Sequence, residues 1–566
     1  MAEGYNNNSH EKKKKIAIIG VSSILLVAMV AAVAVGVSQG NHKESGDSST
    51  GVSQAQKNVQ TLCQPTEFKE TCEKSLASAA GTTDDPKELI RAGFRYTVNE
   101  LKTAISNTTT LRELNRDPRG RQALDACTEL LNLAIDDLDN SFDKLGTFDP
   151  TQMDHYIMDL KVWIGATITY QQTCLDAFEN VTGNAGDQMK KVLNVTGQLS
   201  ANAYDMVNQV SSVIKGLQLN NLSRKLLSDD GFPSWVTDGK KRLLQAAPGN
   251  IKADVVVAKD GSGQVNSVTE ALKRVPKKNP KPFVIHVKAG IYNEHVLIGK
   301  DMPNVVLIGD GPTKTKITHN KNFADGTVTF HSATVAVVGA NFIAKNIGIE
   351  NSAGAIKHQA VALRSSGDNA IFFNCQFDGY QDTLYAHAKR QFYRDCTVSG
   401  TIDFIFGDGE AVFQNCKIVI RKPMDNQACI VTAQGRKKAN GPGAIVLQGC
   451  HITGDPLYIP VKNINKGYLG RPWKEYSRTI IMNSQIDDVI QPEGWLPWMG
   501  TFALDTSFYA EVNNKGPGSV TTHRVTWRGI KKLTPQQAVD YTPGKYFLGD
   551  TWIPQAGIPY VSGVMN

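Results

Sequence analysis

The sequence predicts an α-helical N-terminal half, a four-helix bundle, followed by an all-β C-terminal half built as a stack of parallel coils. Between residues 58 and 217, apolar residues recur at three- and four-residue steps, as on one face of a helix. In the second half, an Asn or Asp followed by Cys recurs at 374–375, 395–396 and 415–416, at steps of 21 and 20 residues. Weaker copies lie near Cys450 and Ser484, each a further 34 residues on. Such a short period, with Gly, Asn and Asp turns, is typical of stacked β coils about 4.8 Å apart.

The N-terminal segment predicts entry into the secretory pathway. Residues 1–15 form a polar tail ending in four lysines, and residues 16–37 are a run of 22 residues without charge. That run is long enough to cross a bilayer, and the basic residues before it place the N-terminus in the cytoplasm. It is either a signal anchor or a long cleaved signal peptide, and its length favours an anchor, at least initially. Residues 38–57 are Ser-, Gly- and Lys-rich, a flexible spacer.

Residues 58–217 predict four long amphipathic helices, with apolar stripes at 87–105, 122–145, 152–178 and 187–217. Four cysteines lie here, and in a lumenal protein they predict two disulfides, with free core thiols as the alternative: Cys63, Cys72, Cys127 and Cys174. Four glycosylation sequons support secretion: Asn107, Asn180, Asn194 and Asn221.

Residues 218–250 predict a protease-sensitive linker. It carries two tetrads of two basic residues followed by two leucines, which begin with Arg224-Lys225 and Lys241-Arg242. Exposed tetrads in a flexible segment are the sites where proteases cut most easily.

The basic excess of the chain is confined to residues 245–566, which contain 35 Lys and Arg against 25 Asp and Glu, a net charge of +10. Such a field attracts polyanions, and in a secreted protein an acidic polysaccharide fits better than nucleic acid, for which no motif accompanies the charge. The eleven histidines show no ligand spacing, so no metal site and no cofactor are predicted.

Two aspartates share the period of the coils. Asp382 in GYQDTLY and Asp403 in DFIFG are 21 residues apart, and Gln359 lies 23 residues before Asp382. If the register holds, the three side chains form one row on one face of the stack. Two carboxylates so close should split their pKa values, which places an ionised nucleophile beside a protonated general acid. The alternative for each aspartate is a turn residue that binds the backbone.

The helical half resembles the plant pectin methylesterase inhibitor domain. The resemblance rests on the placing of its four cysteines and on the segments QALDACTELLNLAIDDL and WIGATITYQQTCLDAF. It implies a disulfide-stapled four-helix bundle preceded by a helical hairpin, acting as a pro-region that keeps a fused esterase silent. It also implies that subtilisin-like proteases cut at the tetrads, so that the mature chain begins near Gln245.

Residues 251–566 resemble plant pectin methylesterase. Six motifs carry the resemblance in order: GIYNE, GTVTF, QAVAL, GYQDTLY, DFIFG and LGRPW. The resemblance implies a right-handed parallel β-helix that hydrolyses the methyl esters of homogalacturonan in the plant cell wall, giving pectate and methanol. The resemblance also implies that this hydrolysis needs no cofactor.

The resemblance also implies a role for each motif residue. Asp403 is the nucleophile, Gln381 and Gln359 bind the oxyanion, Asp382 is the proton donor and later the base, and Arg471 orients Asp403. Thr329 and Trp473 bind sugar. The alternative role for Arg471 is to bind the carboxylates of neighbouring uronates in the substrate. Five aromatic residues either wall the groove or pack on the coil: Phe330, Tyr385, Phe406, Tyr468 and Trp498. A Cys396–Cys416 disulfide is implied, while the pairing of Cys375, Cys429 and Cys450 stays open.

Two alternatives to the esterase remain at this stage. A pectate lyase or a polygalacturonase would need a calcium-binding cluster of acids or further clustered aspartates, and neither accompanies these motifs. From another class, the chain could act as an inhibitor or binding protein through its bundle. The expected partners are pectin, a subtilisin-like processing protease and pectinesterase inhibitor proteins, and the expected state is a monomer.

Overall fold

The computed structural model describes residues 53–81, 83–146, 153–216 and 252–565. They belong to two compact units, one mostly helical and one mostly β. The predicted membrane segment, the sequon at Asn221 and the two basic tetrads lie outside the described residues. Within the described part, none of the helices is both long and apolar enough to cross a bilayer.

Six helices occupy the described part of the N-terminal region: α1 (Gln54–Cys63), α2 (Lys69–Ala80), α3 (Pro86–Leu114), α4 (Pro118–Gly146), α5 (Met153–Asp176) and α6 (Ala185–Gly216). The count of four is therefore not confirmed, because two short helices precede the four long ones. Helix α1 also begins inside the predicted spacer. Ser53 caps it through a reciprocal pair of hydrogen bonds with Gln56, which satisfies two otherwise unpaired backbone donors.

The apolar stripe of α4 is buried as its spacing predicts. Leu124, Cys127, Leu131, Ala134 and Leu138 are all at most 1% exposed. A disulfide joins Cys63 at the end of α1 to Cys72 in α2, with Cα atoms 5.6 Å apart, which confirms that prediction. Cys127 and Cys174 are also disulfide-bonded. Asn107, Asn180 and Asn194 are exposed, as glycosylation would require.

The second unit is built from short strands in the described residues. The first thirteen are β1 (Val255–Val257), β2 (Phe283–Val287), β3 (Gly290–Asn293), β4 (Val296–Ile298), β5 (Val305–Gly309), β6 (Thr315–His319), β7 (Val335–Val337), β8 (Ile343–Lys345), β9 (Gly348–Asn351), β10 (Leu363–Ser365), β11 (Ala370–Phe373), β12 (Gln376–Asp378) and β13 (Leu384–Ala386). The rest are β14 (Arg390–Arg394), β15 (Thr397–Gly400), β16 (Ile405–Gly407), β17 (Glu410–Gln414), β18 (Lys417–Ile420), β19 (Cys429–Gln434), β20 (Ala444–Gln448), β21 (His451–Gly454), β22 (Gly467–Gly470), β23 (Arg478–Met482), β24 (Gln485–Ile486), β25 (Phe508–Val512) and β26 (Ile530–Lys531). Three short helices accompany them: α7 (Val268–Leu272), α8 (Pro535–Ala538) and α9 (Pro543–Tyr546).

These strands form three sheets whose strands are all parallel to their neighbours. Sheet A has the order β1-β2-β5-β8-β11-β14-β17-β20-β23-β25-β26, sheet B runs from β3 to β24, and sheet C runs from β4 to β22. From β2 to β22, each coil gives one strand to each sheet in turn. This is the arrangement of a parallel β-helix, and equivalent residues of successive coils lie directly above one another.

The repeated Asn/Asp-Cys pattern marks the corner between sheets A and B. Asn374, Asp395 and Asn415 have φ between 50° and 55°, and Gly449 takes the same left-handed conformation in the next coil. Asn, Asp and Gly are the residues that adopt this conformation at least cost. Beside this corner, Phe372 stacks on Tyr393 and Tyr393 stacks on Phe413, with ring centroids 4.8 and 4.3 Å apart. The period that the sequence predicted is thus confirmed.

The implied Cys396–Cys416 disulfide is wrong for this structure. Both residues are free and buried, as are Cys375, Cys429 and Cys450. The sulfur of Cys416 instead accepts a hydrogen bond from the backbone nitrogen of Cys396, at 3.4 Å. Burial among apolar side chains lets a thiol pack as a small hydrophobic group without being oxidised.

Candidate active site

Two equivalent turns between sheets B and C carry the two predicted catalytic aspartates. Asp382 has φ 63° and Asp403 has φ 50°, so both adopt the left-handed conformation. Each follows a glycine by three residues, Gly379 and Gly400. A Cβ atom on either glycine would lie 2.6 Å from Thr383 Oγ1 or 2.3 Å from Phe404 Cβ, so each turn needs its glycine to close.

The two aspartates are one coil apart in exact ladder register. The backbone nitrogen of Asp382 donates to the carbonyl of Ile402 at 3.0 Å, and Leu384 pairs with Ile405 two residues later. Gln359 is one position out of this row. The backbone nitrogen of Ala360 donates to the carbonyl of Gln381 at 3.2 Å, which aligns Ala360 with Asp382. The two aspartates are therefore aligned on successive coils, as predicted. Gln359 is aligned with Gln381 and not with Asp382, because the coil that joins them contains extra residues.

Arg471, which directly follows β22, binds Asp403 with both ends of its guanidinium group. Its Nε lies 2.8 Å from Oδ1 and its Nη2 lies 2.6 Å from Oδ2. The indole ring of Trp498 covers the other side of the guanidinium, 4.3 Å from its centroid. A bidentate pair of this kind fixes both the orientation and the charge of the carboxylate.

Burial and charge act differently on the two carboxyl groups. Burial, together with the nearby charge of Asp403, raises the pKa of Asp382 well above its ordinary value. Burial also raises the pKa of Asp403, but Arg471 opposes that effect through its charge and its hydrogen bonds. The pKa of Arg471 is itself raised: burial lowers it, and the attraction of Asp403 more than compensates. The pair is thus arranged so that Asp382 holds a proton more readily than Asp403.

A cavity of about 180 Å³ lies over the two aspartates. Eleven of the predicted site residues line it: Thr329, Phe330, Gln359, Gln381, Asp382, Tyr385, Asp403, Phe406, Arg471, Trp473 and Trp498. They come from successive coils of sheet C, so the site extends along the axis of the stack. Tyr468 is not among the lining residues; it is 9% exposed and its backbone pairs with Ile430 in β19.

Aromatic rings form the floor of the cavity. Tyr385 and Phe406 pair in register between β13 and β16, and their rings stack with centroids 4.2 Å apart. The ring of Trp473 meets Phe406 edge-on at 5.8 Å. Gly435 makes room for that indole, since a Cβ atom there would lie 2.7 Å from its Cε3 atom.

Among residues 252–565, sequence reasoning missed four that line this site or lie beside it. Ala433 pairs with Phe406 in the sheet C ladder, and Arg364 pairs with Tyr385 in the coil before. The guanidinium of Arg364 lies 3.6 Å from the ring centroid of Phe330. The ladder register, once known, identifies both positions. Phe323 and Val328, which also line the cavity, lie in a loop that carries no periodic signal.

Among the residues described, no group of three or more His, Cys, Asp or Glu side chains is placed to hold a metal ion.

Comparison with known proteins identifies the family of the chain. The family model described as Pectinesterase matches residues 254–550. The chain belongs to the pectinesterase family. Residues 57–213 match the model described as Plant invertase/pectin methylesterase inhibitor.

Three relatives show how much of the chain the likeness covers. Pectinesterase of Petunia integrifolia is 55% identical over 381 residues, covering 67% of this chain and all of that protein. Pectinesterase/pectinesterase inhibitor U1 of Solanum lycopersicum is 39% identical over 579 residues, covering 98% of this chain and 97% of that protein. The solved structure of pectin methylesterase from carrot is 47% identical, with a TM-score of 0.55, and covers 55% of this chain and 98% of that one.

Proposed function

We propose that the chain is a pectin methylesterase that hydrolyses the methyl esters of homogalacturonan with an aspartate nucleophile. One observation carries the proposal. Two buried carboxyl groups lie one coil apart, and only Asp403 is gripped by a guanidinium, while the pKa of Asp382 is raised further by burial and by its neighbour. An ionised carboxylate beside a protonated carboxyl group is what covalent ester hydrolysis at an aspartate requires.

In the first half-reaction, a carboxylate oxygen of Asp403 attacks the C6 carbonyl carbon of a methylated galacturonate. The carbonyl oxygen becomes an oxyanion, and the side-chain amides of Gln381 and Gln359, level with each other in adjacent coils, donate hydrogen bonds to it. The tetrahedral intermediate collapses and the bond to the methoxy oxygen breaks. Asp382 gives its proton to that oxygen, so methanol departs and an acyl-enzyme remains.

In the second half-reaction, Asp382 is a carboxylate and acts as a base on water. The water oxygen attacks the same carbonyl carbon, and the proton it loses returns to Asp382. Collapse of this second intermediate breaks the bond to Asp403 and releases galacturonic acid, which gives its remaining acidic proton to solvent and leaves as the carboxylate. Arg471 supports both halves, because its bidentate grip keeps Asp403 oriented and stabilises it as the leaving carboxylate.

Sugar binding is assigned to the residues around the pair. Tyr385, Phe406 and Trp473 offer apolar ring surface, and Thr329 offers a hydroxyl group at the edge of the cavity. Amphipathic rings of this kind suit a sugar, which has apolar faces and polar edges.

Methanol release from methyl-esterified pectin tests the proposal. The parent chain is compared with Asp403→Asn and Asp382→Asn, which keep the shape of each side chain, and with Asp378→Asn. Asp378 lies in the same coil as Asp382 but binds Gln376 and Ser399, so it is a matched control. Losses of roughly 10³-fold or more in kcat are expected for the first two variants and little change for the third. Full activity in Asp403→Asn would sink the assignment of the nucleophile.

The N-terminal domain is proposed to be an autoinhibitory pro-region. Its match to the inhibitor family and its charge support this: residues before 245 carry 26 Lys and Arg against 29 Asp and Glu, opposite in sign to the rest of the chain. The chain is further proposed to enter the secretory pathway through residues 16–37, to be cut at a basic tetrad by a subtilisin-like protease, and to act in the cell wall as a monomer.

A cleavage experiment tests the pro-region. A recognition site for a specific protease is placed within residues 218–250, and methanol release is measured before and after cleavage. Activity that rises on cleavage and separation of the two parts supports inhibition in cis. Equal activity in the intact and the cleaved protein would show that the domain does not restrain the enzyme.

A further inference from the structure

A strongly basic segment lies outside the catalytic site, at the first coil of the stack. Residues 268–282 contain five basic residues and one acidic residue, Glu270. The basic residues are Lys273, Arg274, Lys277, Lys278 and Lys281, and all five are exposed. Asp301 is the acidic partner the structure gives this segment, at 3.6 Å from Lys277. We call residues 273–281 the basic cap.

The basic cap is firmly attached to the coil that contains β4. Both carboxylate oxygens of Glu294 accept hydrogen bonds from the first residues of α7, Val268 and Thr269, at 2.7 to 2.9 Å. Farther along, the backbone nitrogen of Lys278 donates to the carbonyl of Asp301 at 2.7 Å. The side chain of Asn304 donates to the carbonyl of Asn279 at 2.8 Å. Charges held on a fixed backbone lose less entropy when they bind a ligand than charges on a mobile loop.

The cap lies at the end of the same sheet that carries the catalytic site. Strand β4 is the edge strand of sheet C, and α7 packs against it. The ladder that includes Phe406 and Tyr385 continues through Arg364 and Ala336 to Leu297 in β4. Four strand spacings separate Phe406 from Leu297, about 19 Å. A polymer bound along the stack axis therefore reaches the cap when it extends a short way beyond the catalytic pair.

The opposite end of the sheet has a different character. The segment beyond β22 that contains residues 487–493 carries three acidic residues and no basic one. Three large apolar side chains in the loops of this end are 71% to 74% exposed: Leu457, Ile464 and Met499. The end at β22 thus has exposed apolar side chains and charges of both signs, since Lys462 binds Asp488 there, whereas the end at β4 is basic.

We propose that the basic cap binds the de-esterified stretch of a pectin chain while the esterified stretch lies over the catalytic pair and β22. The inference rests on the proposed function, since that reaction turns a neutral methyl ester into a carboxylate. A half-converted chain has one neutral stretch and one anionic stretch, which match the exposed apolar side chains at the β22 end and the basic cap at the β4 end. Binding in this direction holds product carboxylates at the cap and favours conversion of neighbouring esters on the same chain.

The test compares two triple variants of the full chain that lose the same charge. Lys273→Gln/Lys277→Gln/Lys281→Gln removes three charges from the cap. Lys417→Gln/Lys532→Gln/Lys545→Gln removes three exposed charges elsewhere on the β unit. For each, we would measure the dissociation constants of long polygalacturonate and of trigalacturonate, which is too short to span from Asp403 to the cap, at low and high NaCl. Methanol release would be measured after cleavage of the linker, on evenly esterified pectin and on pectin with long de-esterified blocks.

The cap variant is expected to bind long polygalacturonate roughly tenfold more weakly at low salt, with trigalacturonate binding unchanged. Its KM for block-de-esterified pectin should rise by a similar factor, and the control variant should behave like the parent. Equal losses in both triples, or no loss in either, would overturn the inference. Binding to anionic lipid vesicles that depends on the cap, with pectate binding unaffected, would also overturn it. A parent chain that binds polygalacturonate but releases no methanol, even after cleavage of the linker, would instead contradict the proposed function.

Discussion

Arg471 grips both carboxylate oxygens of Asp403, at 2.8 and 2.6 Å, across 68 residues of sequence. The guanidinium side chain is 22% exposed and the carboxylate 7%, so the pair sits at the edge of solvent with the nucleophile on its inner side. The contact joins β16 to the end of β22, two coils farther along sheet C. The bidentate hydrogen bonds of Arg471 therefore determine the orientation of Asp403, and the guanidinium opposes the effect of burial on the pKa of Asp403.

Two replacements of Arg471 should separate the contribution of its positive charge to kcat from that of its bidentate hydrogen bonds. Arg471→Lys keeps the cation but loses bidentate geometry, and we expect a loss of roughly 10- to 100-fold in kcat. Arg471→Ala loses both, and we expect roughly 10³-fold or more. Because the cation lowers the pKa of Asp403, its removal should move the acid limb of the pH–rate profile to higher pH. Steady-state methanol release across pH would measure both effects, and an unshifted acid limb in Arg471→Ala would show that Asp403 does not produce that limb.

The pH dependence of the reaction should be bell-shaped, with a carboxyl group on each side. The acid limb reports the ionisation of Asp403, and the alkaline limb reports the loss of the proton from Asp382, whose pKa is raised by burial and by the Asp403 charge. In Asp382→Asn, the residual activity should lack the alkaline limb, and its acid limb should stay in place, because Asp382 is already neutral at the pH where Asp403 ionises. A profile of kcat/KM from pH 4 to pH 10 checks this prediction. An alkaline limb that persists in the variant would assign it to another group.

Much of this arrangement could be predicted because a β-helix repeats its geometry along the chain. The 21-residue step from Asp382 to Asp403 equals the ladder step from Leu384 to Ile405, so sequence spacing alone aligned the two aspartates. The same spacing rule misplaced Gln359 by one residue, because coils differ in length and a local insertion shifts the register. Arg364 was missed for a related reason: nothing in the sequence says that an arginine one coil before Tyr385 lies under Phe330.

The cysteine ladder shows a different limit. Spacing placed Cys396 and Cys416 one coil apart, but it cannot distinguish a disulfide from two packed thiols, and here they are thiols. We expect five reactive thiols per chain after denaturation without a reductant, since Cys375, Cys429 and Cys450 are free as well. Alkylation followed by mass spectrometry counts them. Three alkylated cysteines, with the pair 396–416 protected, would restore the disulfide that the family resemblance implied.

The position of Trp473 should depend on the absence of a side chain at residue 435. In Gly435→Ala, the new methyl group would lie 2.7 Å from Cε3 of the indole, so the ring must shift away. We expect KM for pectin to rise roughly tenfold with a smaller change in kcat, because the indole is assigned to sugar binding and not to proton transfer. Gly563→Ala is the control, since its added methyl group would have nothing within 4 Å. Unchanged KM in Gly435→Ala would exclude Trp473 from substrate binding.

The buried carboxyl group of Glu410 should make the free energy of unfolding depend on pH, independently of catalysis. It is buried in β17 in register with Arg390, whose guanidinium already binds Asp368 at 2.9 and 2.5 Å. Burial, only partly offset by Arg390, raises the pKa of Glu410 from 4.5 to about 8. When the pKa of a carboxyl group is higher in the folded than in the unfolded protein, the group stabilises the fold at pH values below the unfolded-state pKa. This contribution is lost as the pH rises through the folded-state pKa.

Glu410→Gln keeps the neutral shape at every pH. Its unfolding temperature should equal that of the parent near pH 4, exceed it increasingly between pH 5 and pH 8, and keep a constant advantage above that. Each unit of pKa shift corresponds to about 1.4 kcal/mol, so the advantage at pH 9 should be a few kcal/mol. Calorimetry at pH 4, 6 and 9 measures it, with the exposed Glu270→Gln as the control for the loss of one charge. An advantage for Glu410→Gln that is the same at all three pH values would mean that folding does not change the pKa of Glu410.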